Sequence, residues 1–146
     1  MNKELQEYTI TCNRKQISLI AQALEMNSRM ICAQLSESFM PPIRDRIWKA
    51  IDEDDNYHEK RKIVEDSFQA IKTALWPELH YGEHYGIGRD DEADLGYEMY
   101  KQILSKFEEE HEKECLSEGK TYSGNVHTGT PLKLTKEPVI KIESHE

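Results

Sequence analysis

The chain has 146 residues, of which 37% are hydrophobic and 32% are charged, and its formal net charge is −9. A chain of this length can form one compact domain with its own hydrophobic core. The negative charge excludes general affinity for nucleic acid, because binding to phosphates requires a basic surface. It leaves open that an acidic surface mimics DNA and occupies a DNA-binding enzyme.

The cysteines, Cys12, Cys32 and Cys115, lie far apart in the chain and show no CxxC spacing. Such a set is typical of reduced thiols rather than of a disulfide framework or a zinc site. The N-terminal sequence MNKELQEYTITC lacks the apolar segment of a signal peptide, and no run is long enough to span a membrane. We therefore expect a cytoplasmic protein with no membrane partner.

The N-terminal residues Glu7–Cys12 are predicted to form a short strand. Tyr8 and Ile10 alternate there with Thr9 and Thr11, and alternation of apolar and polar residues is the pattern of a half-buried strand. This strand is expected to pair with strands later in the chain.

A long amphipathic helix is predicted to follow. Asn13 is a suitable N-cap, and Gln16 stands three residues later, in the position of a capping box. Apolar side chains then recur at helical spacing from Ile17 to Leu35 and cover about half of the helix circumference. So wide an apolar face indicates either a central position in the fold or an oligomer interface. The helix is expected to end at Phe39–Pro42, because proline cannot continue it.

Two further helices are predicted before the middle of the chain. Isoleucines spaced by four residues indicate a short helix over Ile43–Ile51. Another helix is predicted over His58–Leu75, with Phe68 on its apolar face. Trp76 and Pro77 are expected to end this second helix.

A glycine- and aromatic-rich loop, His80–Gly88 with the sequence HYGEHYGIG, interrupts the helical pattern. Helix-rich chains normally use short turns, so this composition and length indicate a binding site rather than a simple connection. The rings of Tyr81 and Tyr85 offer flat surfaces on which a base could stack. The amides after Gly86, together with the start of the next helix, could donate to a phosphate oxygen.

The next helix is predicted to begin after Asp90, an N-cap candidate, and to end before Gly119. Its first turn is acidic, which opposes the binding of an anion there and suits contacts with ribose hydroxyls instead. Tyr97 and Tyr100 fall at helical spacing, and their simplest interpretation is that they belong to the core. The acidic residues 108–118 are expected to project into solvent.

The C-terminal part of the chain changes character. Residues Tyr122–Thr128 place hydroxyl and amide groups beside an imidazole, which indicates either an ordinary hairpin turn or the second wall of a polar pocket. Leu132 and Leu134, and later Ile140 and Ile142, alternate with other residues and predict two short strands. The predicted fold class is a single α+β domain over residues 1–146. It is mainly helical, and the N-terminal strand and two C-terminal strands form a small antiparallel sheet.

No pattern in the sequence predicts catalysis. The chain has no nucleophile elbow, no P-loop and no dinucleotide-binding fingerprint. His80 and His84 could form a metal pair, as in a metal-dependent hydrolase, but Pro77 and Gly82 disfavour the helix that this spacing requires. The spacing indicates no third ligand. We predict no catalytic residue, no metal site and no cofactor.

Arg29 has two interpretations. It lies four residues after Glu25 on the polar face of the first helix, so the simplest interpretation is a surface ion pair. The alternative is a phosphate ligand at a subunit interface. The sequence pattern alone leaves both interpretations open.

Three stretches of the chain resemble a family of small phage-encoded proteins. They are NRKQISLIAQALEMNSRM in the first helix, HYGIGRDDEADLGYEMYKQI in the glycine loop and the helix after it, and YSGNVHTGTPLKLTKEPVIKIE in the C-terminal part. In this order they resemble the first-described Thoeris anti-defence proteins. Those proteins are sponges that sequester cyclic ADP-ribose isomers made by bacterial TIR-domain enzymes, and some also hold cyclic oligonucleotides.

The resemblance implies a non-catalytic homo-oligomer, either a dimer or a hexamer, that binds an intact cyclic nucleotide where protomers meet. It implies that Arg29 contacts a phosphate, that Tyr85 stacks on a base, and that Asn125 and His127 make polar contacts. The ligand-binding residues predicted from the resemblance and the sequence patterns together are Arg29, Tyr85, Gly86, Tyr97, Tyr100, Asn125, His127 and Thr128.

The chain departs from the family pattern at Leu104–Ser105, where relatives often carry a basic residue, and in the acidic residues 108–118. The isomer of the nucleotide therefore stays open. A second class of function also stays open, namely an acidic protein inhibitor, or DNA mimic, that binds a host DNA-processing or defence enzyme.

Overall fold

A computed structural model describes residues 8–38, 57–122, 124 and 131–143. Its helices are α1 (Arg14–Ile31), α2 (Tyr57–Leu75) and α3 (Asp91–Ser117), and residues 35–38 form a further helical turn. Within these ranges 61% of the residues are helical and none belongs to a strand. The prediction of an α+β fold with a small antiparallel sheet is therefore wrong. The predicted helix over Ile43–Ile51 lies outside the described residues.

Helices α1 and α3 pack against each other in antiparallel directions, and they are the only pair of described helices that do so. At one end the guanidinium of Arg14 lies 3.6 Å from the centroid of the Phe107 ring and pairs with Glu110. At the other end a carbon atom added to Gly96 would lie 2.6 Å from Ser28 Oγ, so the two backbones approach closely there. This second end forms one wall of the candidate site.

The apolar face of α1 is only partly covered within the chain. Ala21 and Ser28 are buried against α3, whereas Leu19 is 66% exposed. The fully buried apolar side chains in the described ranges are mostly small, and the largest of them are Leu35 and Ile103. A narrow interhelical contact of this kind leaves part of the wide apolar face of α1 open to solvent.

Helix α2 confirms the helix predicted over His58–Leu75, but its predicted apolar face is not buried. Leu75 is 64% exposed, and Ile71 is also exposed. The nearest link from α2 to the glycine loop is the ammonium of Lys72, which donates to the carbonyl oxygen of Glu83. None of the helices in the described part of the chain is both long enough and apolar enough to cross a membrane.

Helix α1 begins where it was predicted to begin and ends earlier than predicted. Its capping box is formed as expected, because Asn13 accepts from Gln16 N and the Gln16 side chain accepts from Asn13 N. It ends at Ile31 because Ala33 adopts a left-handed conformation with φ 62°. Gln34 N donates to the carbonyl of Arg29 at 2.8 Å, and Ala33 N donates to that of Met30 at 3.1 Å. These bonds form a Schellman motif, in which glycine normally occupies the left-handed position.

Replacing Ala33 with glycine is expected to raise the free energy of unfolding by about 0.5–1 kcal/mol, because glycine adopts the left-handed conformation without a Cβ clash. Urea unfolding at a fixed protein concentration measures the change. Ala21→Gly is the matched control, since Ala21 is also a buried alanine but lies inside α1. That control is expected to lower the free energy of unfolding by about 1 kcal/mol. Equal losses in both variants would contradict a left-handed Ala33.

The predicted strands at both ends of the chain are absent from the described ranges. Residues 8–12 and residues 131–143 are non-helical and form no ladder. The backbone amides of Leu134 and Thr135 donate to the carboxylate of Glu98, and the amide of Ile140 donates to the side-chain oxygen of Gln102. These amides therefore bond to side chains of α3 instead of a neighbouring strand, which explains why alternation of apolar residues did not produce a sheet.

Candidate functional site

A cavity of about 340 Å³ lies where the end of α1, the loop after α2 and the first turns of α3 meet. Four of the residues predicted from the sequence, Arg29, Tyr85, Gly86 and Tyr97, line it together. The other lining residues are Ser28, Cys32, Gln34, His84, Ile87, Ala93 and Asp94. The cavity is at the lower end of the ~300–1,000 Å³ range of small-molecule sites.

The loop is held in place by bonds to both helices. Tyr85 N donates to the carbonyl oxygen of Cys32 at 3.0 Å, which ties the loop to the end of α1. Gly88 N donates to both carboxylate oxygens of Asp94, at 3.0 and 2.9 Å, which ties the loop to the first turn of α3. Gly88 has a φ of 87°, a conformation that glycine adopts readily. The cavity walls are therefore fixed by backbone as well as by side chains.

Arg29 makes the ion pair that its sequence position suggested. Its Nη2 and Nε lie 2.8 and 3.0 Å from Glu25 Oε1, and its Nη1 donates to Gln34 Oε1 at 2.9 Å. A guanidinium carries five N–H groups. Within the described part of the chain three of them are used, so the remaining two can donate to a ligand in the cavity. The ion pair and a phosphate contact are thus compatible.

Tyr85 contributes a half-buried ring to the cavity wall. Its hydroxyl donates to the carboxylate of Glu78, which raises the pKa of Tyr85 and fixes the ring. The guanidinium of Arg89 lies 5.1 Å from the ring centroid, at cation–π distance. No other group lies within 4 Å of a carbon atom added to Gly86, so the cavity is open beside this glycine.

The two predicted tyrosines of α3 have different positions. Tyr97 lines the cavity, whereas Tyr100 does not. Their ring centroids are 5.8 Å apart with an interplanar angle of 41°. Burial, and then the neighbouring carboxylate of Glu25, raise the pKa of Tyr100 to about 12. Because Tyr100 also hydrogen-bonds Glu25, which pairs with Arg29, its connection to the site is indirect.

The start of α3 does not provide the phosphate site that was considered from the sequence. The side chain of Asp90 accepts from Glu92 N and Ala93 N, so these helix-terminal donors are already used. The amide of Gly88 is used by Asp94, and the first turn of the helix is acidic. An anion in the cavity would therefore meet its positive charge at Arg29, which belongs to α1.

The cavity also contains residues that were not selected from the sequence. Asp94 is only 7% exposed, and its carboxylate oxygens have accepting capacity beyond the bond to Gly88. Burial, followed by the charges of Asp94 and Asp90, raises the pKa of the Cys32 thiol, so this group is a neutral thiol at neutral pH. Cys32 and Gln34 were missed because the helix was expected to continue through them.

His84 separates this cavity from a second one of about 410 Å³ that lies between α2, residues 33–37 and the loop. Its Nδ1 is 3.2 Å from Gln34 Nε2 and 3.0 Å from the carbonyl oxygen of Tyr85. The loop around His80 and His84 is not helical, as Gly82 and Pro77 predicted. In the described ranges no three histidine, cysteine or acidic side chains are grouped closely enough to hold a metal ion.

The remaining predicted site residues, Asn125, His127 and Thr128, lie outside the described residues. Comparison of the whole chain with protein-family models, with curated proteins and with solved structures gives no match.

Proposed function

We propose that this chain is a cytoplasmic anti-defence sponge that captures a cyclic nucleotide signal, such as a cyclic ADP-ribose isomer, and holds it without cleaving it. The observation that carries the proposal is the cavity that brings Arg29, Tyr85, Gly86 and Tyr97 to one place. The order in which three stretches of the chain resemble phage sponge proteins, a resemblance from which the roles of Arg29 and Tyr85 were also taken, is the second support.

The chemistry of the cavity suits a nucleotide. Arg29 has N–H groups able to donate to a phosphate, and such charge-assisted bonds contribute about 1.5–3 kcal/mol each. The rings of Tyr85 and Tyr97 provide surfaces for a base. Asp94, which lines the same cavity, can accept from a ribose hydroxyl or from an exocyclic amine. A group that can donate to a phosphate and a group that can accept from a hydroxyl or an amine therefore line the same cavity.

The proposal includes a second copy of the chain. The cavity is small for a ligand that contains a base, two riboses and two phosphates, so part of the ligand would extend beyond it. The exposed part of the apolar face on α1, including Leu19, offers a surface for contact between copies. A dimer or hexamer with the ligand between protomers would bury the part of the ligand that extends beyond the cavity. Asn125, His127 and Thr128 enter the proposal as polar contacts on the resemblance alone.

The proposal predicts that cyclic ADP-ribose isomers raise the melting temperature of the protein, because a ligand that binds only the folded state stabilises it. Heating the complex is expected to release the nucleotide unchanged, as chromatography of the supernatant would show. A cleaved product would indicate a hydrolase. If no cyclic nucleotide changes the melting temperature or is retained, the sponge proposal fails.

Substitutions of residues that line the cavity test whether the nucleotide binds there. Tyr85→Ala is expected to abolish retention of the nucleotide, and Arg29→Gln is expected to weaken binding about 10- to 150-fold, the value of one charge-assisted bond. Arg61→Gln is the matched control, because Arg61 forms the same kind of i, i+4 pair with Glu65 on α2. Isothermal calorimetry measures the affinities. Unchanged nucleotide binding by Tyr85→Ala would show that the nucleotide does not bind in this cavity.

A further inference from the structure

The acidic end of α3 carries a histidine and a cysteine one helical turn apart. His111 and Cys115 stand at positions i and i+4, so their side chains lie on the same side of the helix. Cys115 Sγ is 3.7 Å from His111 Nε2 and 4.0 Å from His111 Nδ1. The His111 side chain is 62% exposed, so an ion from solvent can reach the pair.

The separation of these two atoms matches that of two ligands on one zinc ion. With Zn–N and Zn–S distances of ~2.0–2.1 and ~2.3 Å and a tetrahedral angle, the nitrogen and the sulfur lie about 3.6 Å apart. The observed separation is 3.7 Å, and Nδ1 is almost as close to the sulfur at 4.0 Å, so the His111 ring must rotate to point Nε2 at a shared cation. The helix itself need not move. A thiolate and an imidazole together favour Zn²⁺ over the harder cations Mg²⁺ and Ca²⁺.

The neighbouring groups support a cation in this place. Glu114 Oε2 is 3.9 Å from His111 Nδ1, which is beyond hydrogen-bond distance but adds a negative charge beside the pair. The ring of Tyr122 packs edge-on against His111 at a centroid distance of 5.9 Å, and its hydroxyl donates to Glu108. Several further glutamates in residues 108–118 give this end of the helix a negative potential, which attracts a divalent cation.

We propose that His111 and Cys115 form half of a zinc site and that a second copy of the chain supplies the other half. Among the described residues no third ligand joins this pair, and the pair itself fills two of the four positions of a structural zinc ion. The same pair in a copy related by two-fold symmetry completes a Cys₂His₂ set. Leu116, adjacent to Cys115 and 64% exposed, would contact the second copy.

Association through this site requires the metal. Two acidic helix ends repel each other in its absence. Binding of Zn²⁺ releases the protons of the two thiols and leaves the net charge of the site unchanged, so the free energy of the four bonds to the metal offsets the repulsion. The site is independent of the proposed nucleotide cavity, because it lies at the opposite end of α3 from Asp94 and Tyr97.

Titration of the full chain with ZnCl₂, in a non-chelating reductant, tests the proposal by calorimetry and analytical ultracentrifugation. We expect one zinc ion per two chains and a doubling of mass relative to the metal-free protein, reversed by EDTA. Cobalt(II) in place of zinc is expected to give the visible absorption of a tetrahedral thiolate site. Binding with one ion per chain and no change in mass would overturn the proposal, as would the absence of binding.

Two variants assign the ligands. Cys115→Ser and His111→Gln are each expected to weaken zinc binding at least 100-fold and to prevent the change in mass, while melting temperatures without metal stay near that of the wild type. Cys12→Ser is the control, since Cys12 is another free, partly exposed cysteine. If Cys115→Ser binds zinc as the wild type does, the assignment is wrong. Tyr85→Ala is expected to keep zinc binding, which separates this test from that of the nucleotide site.

Discussion

Replacing Glu98 with alanine is expected to lower the free energy of unfolding by about 3–4 kcal/mol, because backbone N–H groups that bond to this buried carboxylate lose their acceptor. Glu98→Gln is expected to cost less, about 1–2 kcal/mol, because an amide oxygen can still accept from backbone N–H groups. Equilibrium unfolding in urea at pH 7 measures both changes. Limited proteolysis is expected to cut residues 131–143 sooner in both variants, since these residues are held by Glu98.

The reason is the number of bonds that converge on this one carboxylate. Glu98 is 1% exposed, although it is charged. It accepts from the amides of Leu134 and Thr135 at 2.8 and 2.9 Å, from Lys133 Nζ at 2.8 Å, and from Gln102 Nε2 at 3.3 Å. Without the carboxylate, backbone donors of the C-terminal segment lose their acceptor and Lys133 loses its counter-ion.

The same contacts predict how stability depends on pH. Burial of Glu98 disfavours its charge, but the bonds from Lys133 and from the amides of Thr135 and Leu134 outweigh burial and lower the pKa to about 2, from an ordinary value of 4.5. A carboxyl whose pKa is lower in the folded state stabilises the protein at pH values above the unfolded pKa. That contribution, on the order of 3 kcal/mol, is lost as the pH falls from about 4.5 to about 2.

Comparison of the wild type with Glu98→Gln isolates this contribution. Above pH 5 the wild type is expected to be the more stable protein by about 1–2 kcal/mol. As the pH falls to about 2 it is expected to lose about 3 kcal/mol relative to Glu98→Gln, so that the difference in free energy of unfolding changes sign. Glu109→Gln is the control, because Glu109 is a carboxylate on the same helix that pairs with Lys113 in solvent. Its loss is expected to leave the free energy of unfolding almost unchanged at any pH, because solvent screens an exposed ion pair. A difference for Glu98→Gln that does not vary with pH would contradict the lowered pKa.

The helices could be predicted from the sequence because their signals are local. The capping box of Asn13 and Gln16, the N-cap of Asp90 and the left-handed Gly119 each act within a few residues of a helix end. The early end of α1 could not be predicted in this way. Its left-handed position is filled by Ala33, which carries no sequence signal for a helix end.

The strands were predicted wrongly because the sequence does not show which partner a backbone will find. Leu134 and Ile140 lie in alternating patterns that also suit strands. Their amides instead bond to Glu98 and Gln102, which are side chains more than 30 residues earlier in the chain. A buried glutamate in the middle of a helix gives no local sign that it will hold a distant segment.

Some residues that line the cavity could be selected from the sequence, but their arrangement could not be predicted. Arg29, Tyr85 and Tyr97 drew attention by residue type and position, and the fold places them around one cavity. Asp94 and Gln34 were missed, since their roles depend on the loop folding back onto both helices. The assignment of a ligand to this cavity stays a prediction.

Gly96→Ala is expected to lower the free energy of unfolding of the wild type and to raise that of the Ser28→Ala variant. In the wild type a Cβ at this position would lie 2.6 Å from Ser28 Oγ, and Ser28 is 4% exposed. Relief of the clash requires either a shift of α1 or a rotation that breaks the bond from Ser28 Oγ to the carbonyl of Leu24, now 2.8 Å long. We expect a net loss of about 1–2 kcal/mol, since the ~1 kcal/mol gained from alanine in a helix offsets only part of the cost.

In the Ser28→Ala background the clashing oxygen is absent. The nearest remaining atoms are the carbonyl oxygen of Leu24 at 3.5 Å and the Cβ of residue 28 at 3.9 Å from the added carbon, which are ordinary contacts. Gly96→Ala is then expected to raise the free energy of unfolding by up to about 1 kcal/mol. The double-mutant cycle should therefore give a coupling of about 1–3 kcal/mol between positions 28 and 96.

The sign change tests the packing of α1 on α3, and with it one wall of the cavity. Ser28 lines the cavity. A methyl group added at Gly96 that shifts α1 would therefore also displace Arg29 relative to Tyr97. Gly96→Ala is accordingly expected to weaken nucleotide binding in the wild-type background and to leave it near normal with Ser28→Ala. Stabilisation by Gly96→Ala in both backgrounds would mean that the helices do not approach here as closely as 2.6 Å implies. The cavity, which depends on that approach, would then have a different shape.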